Sequence, residues 1–482
     1  MSLLLSDCEQ VLIGGQWTQA SSSARLSVSN PATAETLGTV PDCGEQEVAN
    51  AVEAASRAFE NWARTPPVER ETLLLQVCDL IRDHSEDLAK IITLEEGKPL
   101  AESRAEVSSG AAFVRWYAAE GRRLYGDIVP AADPTKRSLV FVDPIGPVLV
   151  VTPWNDPFGL VMRKVAPAIA AGCSVIIKPA EQTPFSAIAS ARLFAEAGLP
   201  AGVVNVVTTS HPAEIVNAIL SHNAIRHLTF TGSTEVGKIV GSRAGALVKR
   251  ITSELGGHAP FIVFDDADID QAVEGLLARK FRNAGQTCSC PSRVFLQNGI
   301  ASRFLEAFVG GVGKIVVGNG LDPGVTMGPL IDAAAVKKVR AHVSDAVSKG
   351  ARICFSGRPT DGLCGTFFPP TVIADVLPEM LVAREETFGP VAAFLRFADD
   401  RRLCEIANHP AYGLAGYCYT RDLSRAFRVA QFLRCGFIGI NDSSPQSVEV
   451  PMGGIGESGI GREGGRWGIE EFVTTKYVSF RV

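Results

Sequence analysis

VLVVTPWNDPFGLVMRKVAPAIAAGCSVIIKPAEQTP spans residues 148 to 184, and its reading decides the fold. Two short β-branched runs, VLVVT (148–152) and SVIIK (174–178), flank a segment near 160–171 with helical patterning. Runs of this length bounded by turn residues read as buried strands, and the strand–helix–strand order predicts a parallel pair with a crossover helix. The pattern continues. GVVNVV (202–207) and HLTFTG (227–232) are further candidate strands, and segments near 184–198, 212–221 and 235–246 are candidate helices. Alternation at this interval predicts an α/β fold with a doubly wound parallel sheet. Such sheets bind ligands beyond the carboxyl ends of their strands. The polar residues after each run, TPWN, KPAE and FTGS, are therefore the first candidates for a site.

Outward from this unit, residues 45–121 read as three helices. The second carries Leu73, Leu74, Val77, Leu80, Ile81, Leu88 and Ile91 at helical spacing and ends at the GlyLysPro of 97–99. The Pro-rich passage 126–147 reads as a projecting strand pair. A second alternating region runs from FIVF near 260 to about 440 and predicts a second α/β domain. The alternating segment 472–482 is expected to pair either with the 126–147 arm or with another subunit. A length of 482 residues suits two or three domains at roughly 150 residues each.

Composition narrows the function classes. With 46% hydrophobic and 20% charged residues, the chain can bury a large core. A net charge of -6 gives no basic footprint for nucleic acid, although local arginines can still favour an anion inside a cleft. VAPAIAAGCSVII (165–177) is shorter than the roughly 20 residues a membrane span needs. The start, MSLLLSDCEQ, turns acidic before a secretory apolar core could form. Eleven irregularly spaced cysteines, with no CxxC pair, suit a reducing compartment rather than a disulfide framework. Seven histidines without an HxxxH array predict no metal site.

Four motifs carry possible chemistry. GSTEVGK (232–238) resembles a nucleotide-triphosphate loop but places Ile239 where a magnesium-binding hydroxyl is needed. A glycine turn feeding a helix can still hold a pyrophosphate, or can be a plain connection. In KPAE (178–181) an acid after a strand can accept from both ribose hydroxyls; a solvated Lys–Glu pair is the structural alternative. ELGGH (254–258) sets a carboxylate ahead of two glycines, with His258 as another base or a structural residue. FRNAGQTCSC (281–290) offers Cys288 as a nucleophile, or as an inert buried thiol.

TPWN, KPAEQTP, FTGSTEVG, ELGGHAP, FRNAGQTC, EETFGP (385–390) and PMGGIGESGIGREGG (451–465) occur in that order across the whole chain. Together they resemble the NAD(P)-dependent aldehyde dehydrogenase superfamily. FRNAGQTCxC, GVTMGPLID and GLAGY are most similar to the succinate- and α-ketoglutarate-semialdehyde dehydrogenases. The resemblance implies a Rossmann-type NAD-binding domain (1–125 and 147–255) and a catalytic domain (256–446). It also implies a small β oligomerisation arm with a C-terminal substrate-loop region (126–146 and 447–482). A cytoplasmic homodimer or homotetramer is expected.

The resemblance also implies roles that suit each residue's chemistry. Cys288 attacks the aldehyde, and the Asn155 amide with the Cys288 backbone N–H holds the oxyanion. Glu254 activates water to hydrolyse the thioester. Acyl transfer to coenzyme A goes, in this family, with absence of that base, so a free acid is the expected product. Trp154, Lys178, Glu181, Gly232, Ser233, Gly237, Glu386 and Phe388 are expected at the dinucleotide, and Glu181 favours NAD over NADP by repelling a 2′-phosphate. Arg163 and Arg282 match positions that bind a substrate carboxylate. Three residues depart from the family pattern: Asp156 and Met452 replace aromatics, and Gln446 stands where many relatives have an aromatic or a serine. Asp156 either pairs with Arg163 or contacts a hydroxyl- or amino-bearing substrate.

The expected substrate is a small aldehyde, succinate semialdehyde first. α-Ketoglutarate or glutarate semialdehyde and hydroxy-, amino- or aromatic aldehydes are alternatives, and a cofactor-independent cysteine esterase is the alternative class. Cys290 is either a reversible disulfide partner of Cys288 or a small side chain packed beneath it.

Overall fold

The computed structural model describes residues 9–357 and 365–482. Cys8, Cys364 and most of the acidic N-terminal stretch lie outside the described residues. The four runs of the opening unit form adjacent parallel strands, Val148–Val151, Val175–Lys178, Val204–Val206 and His227–Thr231, joined at one edge by Arg250–Glu254. The spatial order is 250–254, 227–231, 148–151, 175–178, 204–206. The chain therefore starts in the middle, steps one way twice, then returns to the other side of its first strand. That reversal leaves a crevice between the carboxyl ends of Val148–Val151 and His227–Thr231, where ligands bind in such sheets. TPWN and TGS lie on its two lips. Gly459–Ile460 adds an antiparallel edge strand beside Ser253 and Glu254.

Glu254 ends this sheet, and Ala259–Val263 opens a second one of seven strands. Only Leu255 to His258 separate them. The second sheet runs 352–356, 371–374, 391–397, 291–297, 259–263, 415–419, 437–440 and is parallel except at its first pair. Each sheet has its own apolar core. One gathers buried residues from Val11 to Leu255 with Met452, Ile469, Phe472 and Val473; the other runs from Ala259 to Leu433. The site forms where carboxyl ends of the first sheet meet amino ends of the second.

Residues 45–121 hold four helices rather than the three expected: Glu45–Trp62, Pro67–Asp83, Ser85–Glu96 and Leu100–Glu120. The apolar period runs on through the break, with Leu74, Val77, Ile81, Leu88 and Ile91 all buried. Periodicity therefore hides the bend at His84, whose ψ of 14 leaves the helical range. GlyLysPro does stop a helix, with Gly97 in the left-handed conformation (φ 99). The final strand, Val473–Arg481, pairs within the chain, antiparallel to Lys136–Pro144, which also holds Asp127–Val129. Before it, Gly459–Ile460 pairs with the first sheet, Ile455–Gly456 pairs with Tyr412–Gly413, and Met452, Ile469 and Phe472 join the first core. Four short N-terminal strands between Val11 and Pro41 had no sequence reading.

Candidate active site

The peptide before Cys288 is bent by three successive left-handed residues, Asn283 (φ 48), Ala284 (φ 51) and Gly285 (φ 76). Non-glycine residues adopt this conformation only where surrounding contacts hold it. Here they do. Asn283 N–H donates to Glu102 (2.8 Å), and its amide donates to Glu96 (2.7 Å) and to the Asn155 carbonyl (3.1 Å). The Gln286 carbonyl accepts from Asn155 Nδ2 at 3.0 Å. The loop is thereby tied to the TPWN lip. Cys288 is half-buried and lines a cavity of about 520 Å³. Burial, then the nearby Glu254 carboxylate, push its thiol well above its ordinary value; Arg163 opposes them.

Glu254 is 3% exposed and shares the neighbourhood of Cys288. One carboxylate oxygen lies 3.3 Å from Arg163 Nη1, and the other is buried and, among the described residues, has no hydrogen-bond partner. A carboxylate oxygen left free beside a thiol is suited to orienting a water. Burial raises the Glu254 pKa, Arg163 lowers it and Glu463 raises it again, leaving it above the usual carboxylate value. The two following glycines are required by space. A Cβ on Gly257 would lie 2.2 Å from the Cys288 carbonyl oxygen, and one on Gly256 would lie 2.8 Å from Glu386. Gly257 N–H donates to Glu386 at 2.9 Å.

The residues expected at a dinucleotide fall in two places. Trp154, Gly232, Ser233, Glu386 and Phe388 line the cavity with Cys288. Lys178, ending the neighbouring strand, and Glu181, just past it, contact each other outside the cavity. Gly237 lies one turn into the helix Thr234–Ala246, where a Cβ would meet Leu255 at 2.3 Å. Ser233 caps that helix, accepting from Val236 N–H at 3.3 Å. Phe388 has a positive φ of 52, and its ring meets Trp154 edge to face at 5.7 Å. A helix N-terminus at a switch point, close-approach glycines and an aromatic wall fit a nicotinamide dinucleotide. Burial lifts the Glu386 carboxyl to about 7.

Asp156 lines the cavity, and its ion-pair partners are Lys98 (3.0 Å) and Arg282 (3.6 Å), not Arg163, one of the two alternatives the sequence left open. Arg163 turns to Glu254 and to Glu463 (3.6 Å), with its guanidinium 5.1 Å from the Phe113 ring centre. Glu463 is also bound by Lys164. Met452 is buried, lines the cavity and exchanges backbone hydrogen bonds with Glu463 (2.6 and 2.7 Å). Gln446 faces the cavity and accepts from Arg279 at 2.6 Å. Cys290 is buried away from the cavity lining, with Lys280 Nζ 3.2 Å from its sulfur. Both cysteines are free thiols here. His258 lies outside the cavity, against His409 and Tyr412.

Sequence reasoning missed Lys98, Glu106, Arg279 and Glu463. Lys98 donates to Glu106 (2.8 Å), Asp156 and the Asn155 carbonyl, so it anchors the TPWN lip from below. Its only sequence signal was a lysine inside a helix-stop motif, which reads as punctuation. Glu106 accepts from the N–H groups of Phe158 (2.8 Å) and Gly159 (2.9 Å).

This fold and site define a nucleophilic-cysteine enzyme on a dinucleotide-binding sheet, and the chain belongs to the aldehyde dehydrogenase family, whose sequence model matches residues 17–478. It is 48% identical over 470 residues to the NADP(+) succinate-semialdehyde dehydrogenase GabD of Escherichia coli (strain K12), covering 98% of this chain and 97% of that one. A glutarate-semialdehyde dehydrogenase of Pseudomonas aeruginosa is 46% identical over 98% of this chain and 97% of its own. The crystal structure of succinate-semialdehyde dehydrogenase from Burkholderia pseudomallei superimposes with a TM-score of 0.96, at 47% identity over 98% of each chain. The protein is an aldehyde dehydrogenase using NAD or NADP. Nothing in the relatives or the site supports the esterase, and among the described residues no histidine lines the cavity holding Cys288.

Proposed function

We propose that this enzyme oxidises a carboxylate-ended semialdehyde, succinate semialdehyde first, to the free acid with NAD. One observation carries the reading: Cys288, Asn155, Arg163 and Arg282 line one cavity, with the Glu254 carboxylate set beside Arg163 at its wall. The names of the relatives above point to the same substrate class.

Cys288 attacks the aldehyde carbon, transferring its proton to solvent or to Glu254, and forms a thiohemiacetal. Asn155 Nδ2 and the Cys288 N–H hold the developing oxyanion, after Nδ2 leaves the Gln286 carbonyl. Trp154, Gly232, Ser233, Gly237, Glu386 and Phe388 would hold a nicotinamide dinucleotide, which would supply the acceptor for the hydride expelled from the thiohemiacetal carbon as the oxyanion collapses to a thioester on Cys288. Glu254 takes a proton from water as that water attacks the thioester carbon, and the thiolate departs with the acid released. Arginines on the wall orient the distal carboxylate.

Glu181 supports NAD here even though the E. coli relative is named for NADP(+). Its carboxylate lies beside Lys178, where the adenosine ribose of a dinucleotide in this sheet falls, and a 2′-phosphate would meet a like charge. We place the enzyme in the cytoplasm, in keeping with nine free cysteines among the described residues. A homodimer or homotetramer would use the arm, which exposes Ile128, Tyr477 and Phe480.

Absorbance of reduced nicotinamide on mixing protein, NAD or NADP, and an aldehyde panel tests these readings, with Cys288→Ala as control. The panel holds succinic, glutaric and α-ketoglutaric semialdehydes beside neutral short and aromatic aldehydes. The expected result is highest kcat/KM with succinic semialdehyde and NAD. A higher value with NADP, or with a neutral aldehyde, overturns the corresponding half.

A further inference from the structure

Three arginines line the cavity, and two already face carboxylates. Arg163 faces Glu254 and Glu463; Arg282 faces Asp156. The third, Arg279, is 6% exposed and, among the described residues, has no carboxylate at ion-pairing distance. Its partners are neutral. Nε donates to Tyr417 Oη (3.2 Å), and Nη2 donates to Ser289 Oγ (2.7 Å) and Gln446 Oε1 (2.6 Å). A guanidinium has five N–H donors. The two on Nη1 meet no protein acceptor among the described residues, this nitrogen is not fully sealed, and Arg279 lines the cavity. Burying an arginine without a counter-charge is costly, and an anion seated there would offset the cost.

Position agrees with charge. Ser289 follows the nucleophile directly, and consecutive Cα atoms lie about 3.8 Å apart, so Arg279 stands within a short chain's length of Cys288. Tyr417 fixes the geometry further, donating to the Ser289 carbonyl at 2.8 Å.

We propose that Arg279 is a specificity-determining anion site, holding the distal carboxylate of a short aldehyde through Nη1 while Gln446 and Ser289 position its guanidinium. This rests on the anionic-aldehyde reading above. It adds to Arg163 and Arg282 the one cavity arginine that, among the described residues, no protein carboxylate occupies.

The test compares wild type, Arg279→Met, Arg279→Lys and Gln446→Ala on succinic semialdehyde and on butanal, its uncharged four-carbon counterpart, and measures inhibition by succinate. Arg279→Met is expected to raise KM for succinic semialdehyde and Ki for succinate roughly 100-fold together. Its kcat and its butanal kinetics should stay within about threefold, since only a substrate-anion contact is lost. Arg279→Lys should fall between, and Gln446→Ala should shift the same two constants by a smaller factor. Equal losses on both aldehydes would show that Arg279 merely braces the Ser289 loop, and the proposal fails. It also fails if Arg279→Met leaves succinic semialdehyde unaffected. Should that variant not fold, Gln446→Ala decides: a shift confined to the anionic ligands supports the site, and a shared shift overturns it. A wild type that prefers butanal defeats the anionic-aldehyde reading itself, and this proposal with it.

Discussion

Replacing Asp156 with asparagine should cost stability and improve affinity for an anionic substrate at once. Burial pushes the Asp156 carboxyl up, but Lys98 and then Arg282 pull it down further, to about 2 from an ordinary 3.8. The side chain is 21% exposed, so solvent screens the pair only in part. A depression of that size corresponds to roughly 2–3 kcal/mol favouring the folded state at neutral pH. For a domain of this size the loss should lower Tm by roughly 2–5 °C. Because the folded carboxyl titrates below the unfolded one, its stabilisation is complete above about pH 5 and fades as pH falls toward 2. The gap in Tm between wild type and Asp156→Asn should therefore be full at neutral pH and narrowed by roughly half at pH 3. The same substitution removes a negative charge beside Arg282, so KM for succinic semialdehyde should fall on the order of threefold to tenfold, with butanal unmoved. Thermal unfolding across pH and paired steady-state kinetics read both effects. An unchanged Tm at neutral pH would refute the stabilising pair, and a common shift in KM for both aldehydes would refute the electrostatic argument.

Glu254→Gln should lower kcat by roughly 10²–10⁴ while keeping a rapid burst of about one reduced nicotinamide per active site, because it removes the base for hydrolysis and not the nucleophile. Stopped-flow absorbance checks this, and slow turnover with no burst would assign Glu254 to the acylation step instead. The rate should also rise with pH from neutrality into the alkaline range. The Cys288 thiol sits well above its ordinary value through burial and then Glu254, and Glu254 itself is raised, so acidifying removes both thiolate and base. A kcat/KM profile for the neutral aldehyde that is flat or falling from pH 7 to 9 would contradict that ordering, taking roughly one decade per pH unit as the limiting slope.

The parallel sheet was legible because its strands are short apolar runs closed by turn residues, and their order along the chain follows the crossover rule. Cys288, Asn155, Glu254 and the glycine turn were legible because each sits in an ordered motif, and the cavity does gather Cys288, Asn155, Gly232 and Ser233. The bend at His84 was not legible, since one apolar face runs unbroken through both helices. Nor were the partners of the charged residues. Asp156 was weighed against Arg163, seven positions on, whereas it pairs with Lys98, fifty-eight positions away.

From its residues alone this chain determined the class of its chemistry: a thiol, an amide, a carboxylate and a glycine turn, each on a loop after or before a strand. The ordered motifs suffice for that through their resemblance to a known family, since each one read alone left a structural alternative open. The tertiary structure decided which of three cavity arginines is left without a carboxylate. That outcome depends on Glu463 and Asp156 arriving from distant segments, and charge pairing is settled by distance in space, which sequence separation does not report.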